Sequence, residues 1–240
     1  LQKISHNQFE DIIAVNALFR PGPSAFIPIY AKRQHGLEEV QYPHEDIASI
    51  LADTYGVIVY QEQIMQIAAV MAGYSYGEAD LLRRAVSKKN RKILEKERTH
   101  FVEGALKKGY AEETAHRIYD TIVRFSDYGF NRSHAVAYSM IAYQLAYLKA
   151  HFPKDFYASL LTTYQHHPEK LATYIREARK RGITILPPTV NESGPAFLAR
   201  EEGILFSLLA LSSVTMRHMK EIMKERKKKY VALWQVMQRE

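Results

Sequence analysis

The sequence predicts a mainly α-helical fold with one short extended segment. Apolar residues recur at helical spacing over most of the 240 residues, and glycines and prolines interrupt the pattern. The pattern changes after Gly182, where residues 183–188 have the composition of extended chain. The composition, 47% hydrophobic and 25% charged, is that of a folded protein whose core needs no disulfides.

The N-terminal part predicts short helices joined by tight connections. Asn7 and Glu10 have the spacing of an N-cap and its partner, and they open a helix that stops before residues 20–23, which hold two prolines. Residues 55–60 are rich in β-branched side chains, so they fit either a strand or a buried connector. Apolar residues then repeat at helical spacing up to Gly73.

Ser75 and Glu78 have the spacing of a capping box and start the next helix, which we expect to end near Ser87. The residues predicted to form its apolar side are Leu81, Leu82, Ala85 and Val86. Breaks at glycine and proline predict further helices over residues 91–108, 112–127, 134–151, 154–165, 168–181, 214–227 and 230–238. A strand is predicted over residues 204–208.

The charge favours a polyanionic partner. There are 33 Lys and Arg against 26 Asp and Glu, a formal net charge of +7, which suits nucleic acid, nucleotide phosphates or an anionic membrane surface. Cysteine is absent, which excludes disulfides, thiolate nucleophiles and cysteine-bound zinc. No apolar run is long enough for a membrane span, and the basic segments lack a wide apolar side for a membrane surface.

The ends of the chain predict its context. It opens at Leu1 without a signal-like segment, and it stops at Glu240 inside a helical pattern. We therefore expect a piece of a longer, cytoplasmic protein. The sequence holds no Asp-x-Asp pair, Walker loop or nucleophile elbow. No catalytic residue and no metal ligand is predicted, so this piece alone is not expected to activate phosphoryl transfer in the two-metal manner.

A basic segment is the sharpest local feature. Six Lys and Arg residues fall within residues 83–92, with no acid among them. If the apolar side packs inward, Arg84 and Lys88 lie one turn apart on the exposed side. Such like charges repel by roughly a few tenths of a kcal/mol, and a bound polyphosphate reverses that repulsion. The candidate phosphate ligands are Arg83, Arg84, Lys88 and Lys89. A solvated basic helix end is the alternative.

A second feature is the turn around Gly129, which ends one helix. Ser133 is the candidate N-cap of the next helix, with Asn131 and Arg132 in the turn. The unpaired N–H groups and partial positive charge of a helix N-terminus suit a phosphate. We therefore treat the turn as a second candidate site for a nucleotide.

His134 and Tyr138 follow that turn and share one helix face, because they are four residues apart. Two flat side chains on one face can stack against a sugar or a base. The alternative is a histidine and a tyrosine that pack in the core, and the spacing alone does not separate the two.

Several ordered strings resemble the alpha subunit of bacterial DNA polymerase III, the family C replicative polymerase. They are spread over about residues 9–195. The strings include ALFRPGP at 17–23, TYGVIVYQEQ at 54–63, ADLLRRA at 79–85, YGFNRSH at 128–134 and ILPP at 185–188. The resemblance implies a fingers domain over 1–182, a connector over 183–200 and the beginning of a degenerate helix-hairpin-helix DNA-binding region over 201–240.

The resemblance also implies a function. In the family, the fingers bind the incoming deoxynucleoside triphosphate and the template-primer during bacterial DNA replication. The full-length protein is a DNA-directed DNA polymerase, a nucleotidyltransferase. Its catalytic aspartates, and hence its Mg²⁺ ligands, belong to the palm, which this piece lacks. Other replisome subunits, including a sliding clamp, are expected to bind through regions absent here.

Individual roles follow by matching positions. Arg83 and Arg84 match the twin arginines that contact the triphosphate, and Lys88 and Lys89 match the basic pair that follows. The turn at 131–134 and Tyr138 match the lining of the sugar and base. In that lining, His134 would help to exclude a ribose 2′-hydroxyl.

Three positions depart from the family pattern, and basic residues outside the turn are candidates for DNA contact. Arg132 stands where lysine is commoner, which exchanges a point charge for a planar fork. Ser213 and Thr215 stand where the family's hairpin has glycines. The candidate DNA-binding residues are Arg20, Arg217, Lys220, Lys224, Lys227 and Lys228.

The alternative function is a noncatalytic, basic helical DNA-binding module without a nucleotide pocket. The two interpretations differ in one geometric requirement. Nucleotide binding requires Arg83, Arg84 and the turn at 131–134 to face one cavity. If they point to opposite surfaces, the alternative is favoured.

Overall fold

The structure is a computed structural model that describes residues 4, 8–87, 91–126 and 128–226. Within those ranges the chain is mainly α-helical, as the sequence predicts, with one small sheet. It divides into two compact units, Leu1–Ile141 and Ala142–Glu240. Several predicted features lie outside the described residues, namely Lys88, Lys89, Lys227, Lys228 and the helix at 230–238.

The first unit is built from α-helices with short 3₁₀ turns between them. Its helices are α1 (Phe9–Leu18), α2 (Ile27–Gln34), α3 (Ala48–Leu51), α4 (Gln61–Ala72), α5 (Tyr76–Ser87), α6 (Arg91–Lys107), α7 (Glu112–Ser126) and the start of α8 (Arg132–His151). The predicted helices lie within a few residues of these bounds, apart from α2 and α3, which the sequence analysis did not predict.

The main core of the first unit surrounds α4, which packs against α5, α6 and α7. Ile64 and Ile67 of α4 meet Leu82 of α5 and Phe101 of α6, and none of the four side chains is more than 1% exposed. Burying each such side chain contributes about 1.5–3 kcal/mol, so α4 is held on several sides. The position of its first turn is therefore well defined.

Residues 57–60 form a buried connector and not a strand of a sheet. Their side chains are 3–4% exposed, and their only bridge in the described part of the chain joins Tyr60 to Phe130 in parallel. A single bridge makes no ladder. The β-branched composition of this run therefore reflects burial.

Local details of two helices differ from the prediction. Gln8 caps α1 in a capping box with Asp11, in place of the predicted Asn7. The capping box of α5 is confirmed, since the Glu78 carboxylate accepts from the Ser75 N–H at 2.8 Å. On α5 itself, Leu82 is buried as predicted but Leu81 is 62% exposed. Adjacent helical residues lie about 100° apart, and this interface covers only one of them.

The second unit combines helices with a small sheet. Its elements after α8 are α9 (Pro153–Thr163), α10 (Pro168–Lys180), β1 (Ile185–Leu186), β2 (Leu198–Ala199), β3 (Ile204–Leu205) and α11 (Met216–Glu225). The strand order is β1-β3-β2. Ile185 pairs with Ile204 in parallel, and Leu198 pairs with Leu205 in antiparallel. The predicted strand at 204–208 is thus shorter than expected.

The core of the second unit includes the segment predicted to be a connector. Ile183 and Phe197 pack in one cluster with Tyr157, Leu161 and Ile204. Ile183 and Phe197, which the resemblance assigns to the connector, therefore contribute to the same core as α9. In the ranges that the structure describes, no helix is both long and apolar enough to cross a membrane.

Candidate functional site

Two of the predicted elements, Arg83 of α5 and the turn before α8, contact the first turn of α4. Arg83 donates from Nη1 to Gln61 Oε1 at 2.9 Å. The carboxylate of Glu62 accepts the backbone N–H of Arg132, with its two oxygens at 3.0 and 3.1 Å. Because Gln61 and Glu62 are adjacent, the N-terminus of α4 joins elements that are far apart in sequence.

Backbone hydrogen bonds hold the turn against α4. Phe130 donates its N–H to Val59 O at 2.9 Å, and Gln61 donates its N–H to Phe130 O at 3.0 Å. Gly129 permits this approach, since a Cβ there would lie 3.2 Å from Gln61 Cγ. The predicted break at Gly129 therefore also brings the turn to the first turn of α4.

Asp80 pairs with both candidate phosphate-binding arginines of α5. Arg83 donates from Nε to Oδ1 at 2.8 Å, and its Nη2 lies 2.7 Å from the same oxygen. Arg84 Nε lies 2.7 Å from Oδ2. The hydrogen bond from Arg83 is the main cause that lowers the pKa of the Asp80 carboxyl, and the charges of both arginines add to it. The Arg84 side chain is 63% exposed and that of Arg83 is 26% exposed.

The N-terminus of α8 has acceptors from inside the chain. Helix α8 begins at Arg132, and Asn131 Oδ1 accepts the N–H of His134 at 3.0 Å and the hydroxyl of Ser133. The prediction that Ser133 is the N-cap is therefore wrong, since Asn131 takes that place. The Glu62 carboxylate already accepts the Arg132 N–H. An anion that approached this helix N-terminus would therefore meet a negative charge.

His134 and Tyr138 share a face, as their spacing predicts. Their ring centroids are 4.7 Å apart, and Phe130 extends the row at 5.6 Å from His134. His134 is exposed and Tyr138 is 56% exposed. The alternative of a core pair is therefore wrong for both side chains, which present their rings to the surface of the first unit.

A cavity of about 630 Å³ lies along the side of α4 that faces Arg132. The Arg132 guanidinium is 5.7 Å from the ring centroid of Tyr60, and both side chains line the cavity with Tyr76. Burial raises the pKa of Tyr60, so its phenol stays protonated as a hydrogen-bond donor. The described lining contains neither Arg83 nor Arg84. The twin arginines and the turn therefore do not share this cavity. Arg83 and the turn are linked instead through Gln61 and Glu62.

Arg20, a candidate for DNA contact, is bound within the chain. It donates to Ala17 O at 2.9 Å and to Tyr128 O at 2.8 Å, and its guanidinium lies 4.4 Å from the ring centroid of Phe130. Burial lowers its pKa. Gly22 packs on the same segment, because a Cβ there would come within 2.3 Å of the Tyr128 ring. Arg20 therefore anchors the segment that precedes the turn.

Basic residues of α11 form one exposed face in the second unit. Arg217, Lys220 and Lys224 are spaced by three and four residues and are exposed. Arg217 pairs with Glu221 at 3.2 Å. Thr215 caps the helix, since its Oγ1 accepts the His218 N–H at 3.3 Å. A side chain thus caps the helix at one of the positions where the family's hairpin has glycine.

Three further residues build the site without being predicted from the sequence, namely Gln61, Glu62 and Asp80. A signal existed for Asp80, since an acid three and four residues before two arginines predicts ion pairs on a helix. Three polar residues directly after a buried run also indicate a helix start at which side chains form hydrogen bonds. Within the described ranges, no group of three or more His, Asp or Glu side chains is arranged to hold a metal ion.

The class of protein follows from comparison with known families. The family described as bacterial DNA polymerase III alpha subunit finger domain matches residues 1–109, which include α4 and the arginines of α5. A family described as a helix-hairpin-helix motif matches residues 182–240, which include α11. The first match is to the family that the sequence strings resemble, and the second is to the type of DNA-binding motif that the resemblance implied near the C-terminus.

Similar proteins extend the match over nearly the whole chain. The DNA polymerase III subunit alpha of Bacillus subtilis (strain 168) is 57% identical over 229 residues, 95% of this chain and 20% of that protein. The subunit of Halalkalibacterium halodurans is 55% identical over 227 residues (95% and 20%), and that of Staphylococcus aureus (strain N315) is 51% identical over 226 residues (94% and 21%). The chain belongs to the family of bacterial DNA polymerase III alpha subunits. It spans about a fifth of the length of these relatives.

Proposed function

We propose that the chain forms the fingers portion of a DNA-directed DNA polymerase and binds the incoming deoxynucleoside triphosphate and the template-primer during bacterial DNA replication. The observation that carries this proposal is the meeting of two elements at the first turn of α4, where Gln61 binds Arg83 and Glu62 binds the backbone of Arg132. A nucleotide near this point would have cations for its phosphates and aromatic rings for its sugar and base.

The arginines of α5 would act on the triphosphate. Arg84, with Arg83 beside it, would donate charge-assisted hydrogen bonds to phosphate oxygens. Such contacts position the reacting phosphate and stabilise the charge that develops on the leaving pyrophosphate. Mg²⁺ would supply metal-ion catalysis in the full-length subunit, with ligands outside this chain. The residues of this chain therefore bind and orient the substrate.

The turn and the aromatic row would act on the rest of the nucleotide. His134 and Tyr138 offer flat, exposed rings at one face of α8. We assign the sugar and base to these rings. Asn131, Ser133 and Glu62 would hold the start of α8 in place, since their hydrogen bonds are made within the chain.

DNA would bind through the basic face of α11 and through the whole subunit. Arg217, Lys220 and Lys224 would contact backbone phosphates without reading sequence, and their contribution would fall with salt. We expect a cytoplasmic location, and we expect other replisome subunits, including a sliding clamp, to bind regions outside this chain.

Substitution of Arg84 tests the proposal. In the full-length subunit, Arg84→Ala should lower kcat/KM for the incoming nucleotide by about tenfold or more, because hydrogen bonds to charged groups contribute about 1.5–3 kcal/mol. Single-nucleotide primer extension measures this value. Arg179→Ala is the matched control, since Arg179 is also an exposed arginine in the last turn of a helix.

The alternative, a noncatalytic DNA-binding module, is favoured by the helix-hairpin-helix match and the basic face of α11. The same variant separates the two functions. If Arg84→Ala leaves the nucleotide KM and kcat unchanged and weakens only the binding of primer-template, the alternative is correct and the nucleotide site is rejected.

A further inference from the structure

One carboxylate holds the two arginines of α5 in different ways. Asp80 offers Oδ1 to Nε and Nη2 of Arg83, and it offers Oδ2 to Nε of Arg84. Arg83 also gives Nη1 to Gln61, so every nitrogen of its guanidinium has an acceptor in the chain. Arg84 contacts Asp80 through Nε, 2.7 Å from Oδ2. An arginine held at Nε can still offer its terminal nitrogens to a ligand.

Exposure follows the same division. The side chain of Arg83 is 26% exposed and that of Arg84 is 63% exposed. A guanidinium bound at Nε keeps its planar fork of Nη donors in a fixed direction, whereas an unbound arginine on a helix samples many rotamers. The Asp80 contact therefore limits the directions in which Arg84 can present its donors.

The charges explain why the pair tolerates this proximity. Arg83 and Arg84 are adjacent cations, and a shared carboxylate between them reduces their repulsion. Their hydrogen bonds and charges lower the pKa of Asp80, which keeps the carboxylate ionised at neutral pH. The group as a whole then carries one net positive charge that lies mainly on the exposed arginine.

We propose that Asp80 is a positioning residue for the triphosphate of the incoming nucleotide: it aims the donors of Arg84 at the substrate. This inference rests on the proposed function. The twin arginines differ in their other contacts, since Arg83 also binds Gln61 and so links α5 to α4.

Two opposite effects are possible when the carboxylate is removed, and their signs differ. An acid that merely competes with phosphate would, once removed, strengthen nucleotide binding. An acid that aims Arg84 would, once removed, weaken it. The direction of the change in kcat/KM therefore separates positioning from competition.

The experiment is a double-mutant cycle in the full-length subunit. Asp80→Ala should lower kcat/KM for the nucleotide by about fivefold or more, and Asp80→Glu should restore part of the loss. In the Arg84→Ala background, Asp80→Ala should cost less than about twofold, because the residue through which it acts is gone. Asp120→Ala is the control, since Asp120 is an exposed helical acid paired with Arg98 in the same unit.

The outcomes are separable from those of the proposed function. If Arg84→Ala impairs the enzyme but Asp80→Ala leaves kcat/KM unchanged or raises it, the positioning role is overturned and the proposed function stands. Equal losses from Asp80→Ala with and without Arg84 also overturn it. If Asp80→Ala lowers the melting temperature too far to assay, Asp80→Asn carries the same cycle, because it keeps the volume and loses the charge.

Discussion

At the scale of the residue, internal acceptors decide which cations face outward. Arg20 and Arg84 are both basic residues of family-like strings, yet Arg20 donates to Ala17 O and Tyr128 O while Arg84 is 63% exposed. Both arginines contribute equally to the net charge, so the net charge does not distinguish them. Only the positions of carbonyls and carboxylates around each guanidinium separate an anchor from a candidate ligand.

His134 carries a prediction at the same scale. In the full-length subunit, His134→Ala should relax discrimination against ribonucleotides, with the ratio of kcat/KM for deoxynucleotide over ribonucleotide falling by about tenfold. The ring is exposed beside Tyr138, and its loss removes bulk from the face assigned to the sugar. Parallel kinetics with both nucleotides measure the ratio.

The control for that prediction is His116→Ala, since His116 is a partly exposed histidine on α7, outside the turn at 131–134. An unchanged ratio in His134→Ala would remove His134 from sugar selection. A loss of melting temperature without a change in the ratio would give it a structural role instead.

At the scale of the element, periodicity predicted most helices well, because each buries an apolar stripe. Periodicity failed where a single tertiary contact decides which side chain is buried or which residue caps a helix. The orientation of α5 is an example, since the sequence offers both Leu81 and Leu82 to the core and only the packed neighbours show that Leu82 enters. The capping of α8 is another, because Glu62 is 70 residues from Arg132.

The buried connector at 57–60 depends on one amide. Gln63 Oε1 accepts the N–H groups of Val59 and Tyr60 at 2.9 and 3.0 Å, and its Nε2 donates to Ile50 O and Thr54 Oγ1 at 3.1 and 2.8 Å. These partners satisfy backbone groups that a strand would have paired in a sheet. The amide thus explains why β-branched residues here form a connector.

Gln63→Ala should therefore destabilise the chain. Removing the amide leaves buried N–H groups without an acceptor, which costs about 1–3 kcal/mol or more in the free energy of unfolding. Urea unfolding followed by circular dichroism measures it. Gln66→Ala is the control, since Gln66 is an exposed glutamine one turn later on α4. Equal stability of the two variants would contradict the account of the connector.

At the scale of the whole molecule, each unit has its own core. The composition changes after Gly182, where the strands begin, and Ile183 and Phe197 pack with α9 in the core of the second unit. Composition reports secondary structure, whereas a boundary depends on which side chains share a core. The net charge of +7 is a sum over the whole chain, so it does not show which surface is basic.

The sequence predicted which residues belong to the candidate site, but it did not predict the contacts that bring them together. Arg83, Arg84 and the turn at 131–134 stand out because charge runs and turn residues are local signals. Arg83 meets Gln61 and Arg132 meets Glu62, contacts between residues 22 and 70 positions apart that no local pattern encodes. The family resemblance supplied the proposed roles, and only the folded chain shows that Arg83 and the turn both reach the first turn of α4.

The most direct test of the central claim is a structure of the full-length subunit with a primed template and an incoming nucleotide. We predict that Arg84 Nη atoms lie about 2.7–3.2 Å from phosphate oxygens, while Asp80 still holds Nε. We also predict that His134 faces the sugar. A triphosphate bound elsewhere, with Arg84 still exposed to solvent, would contradict the claim.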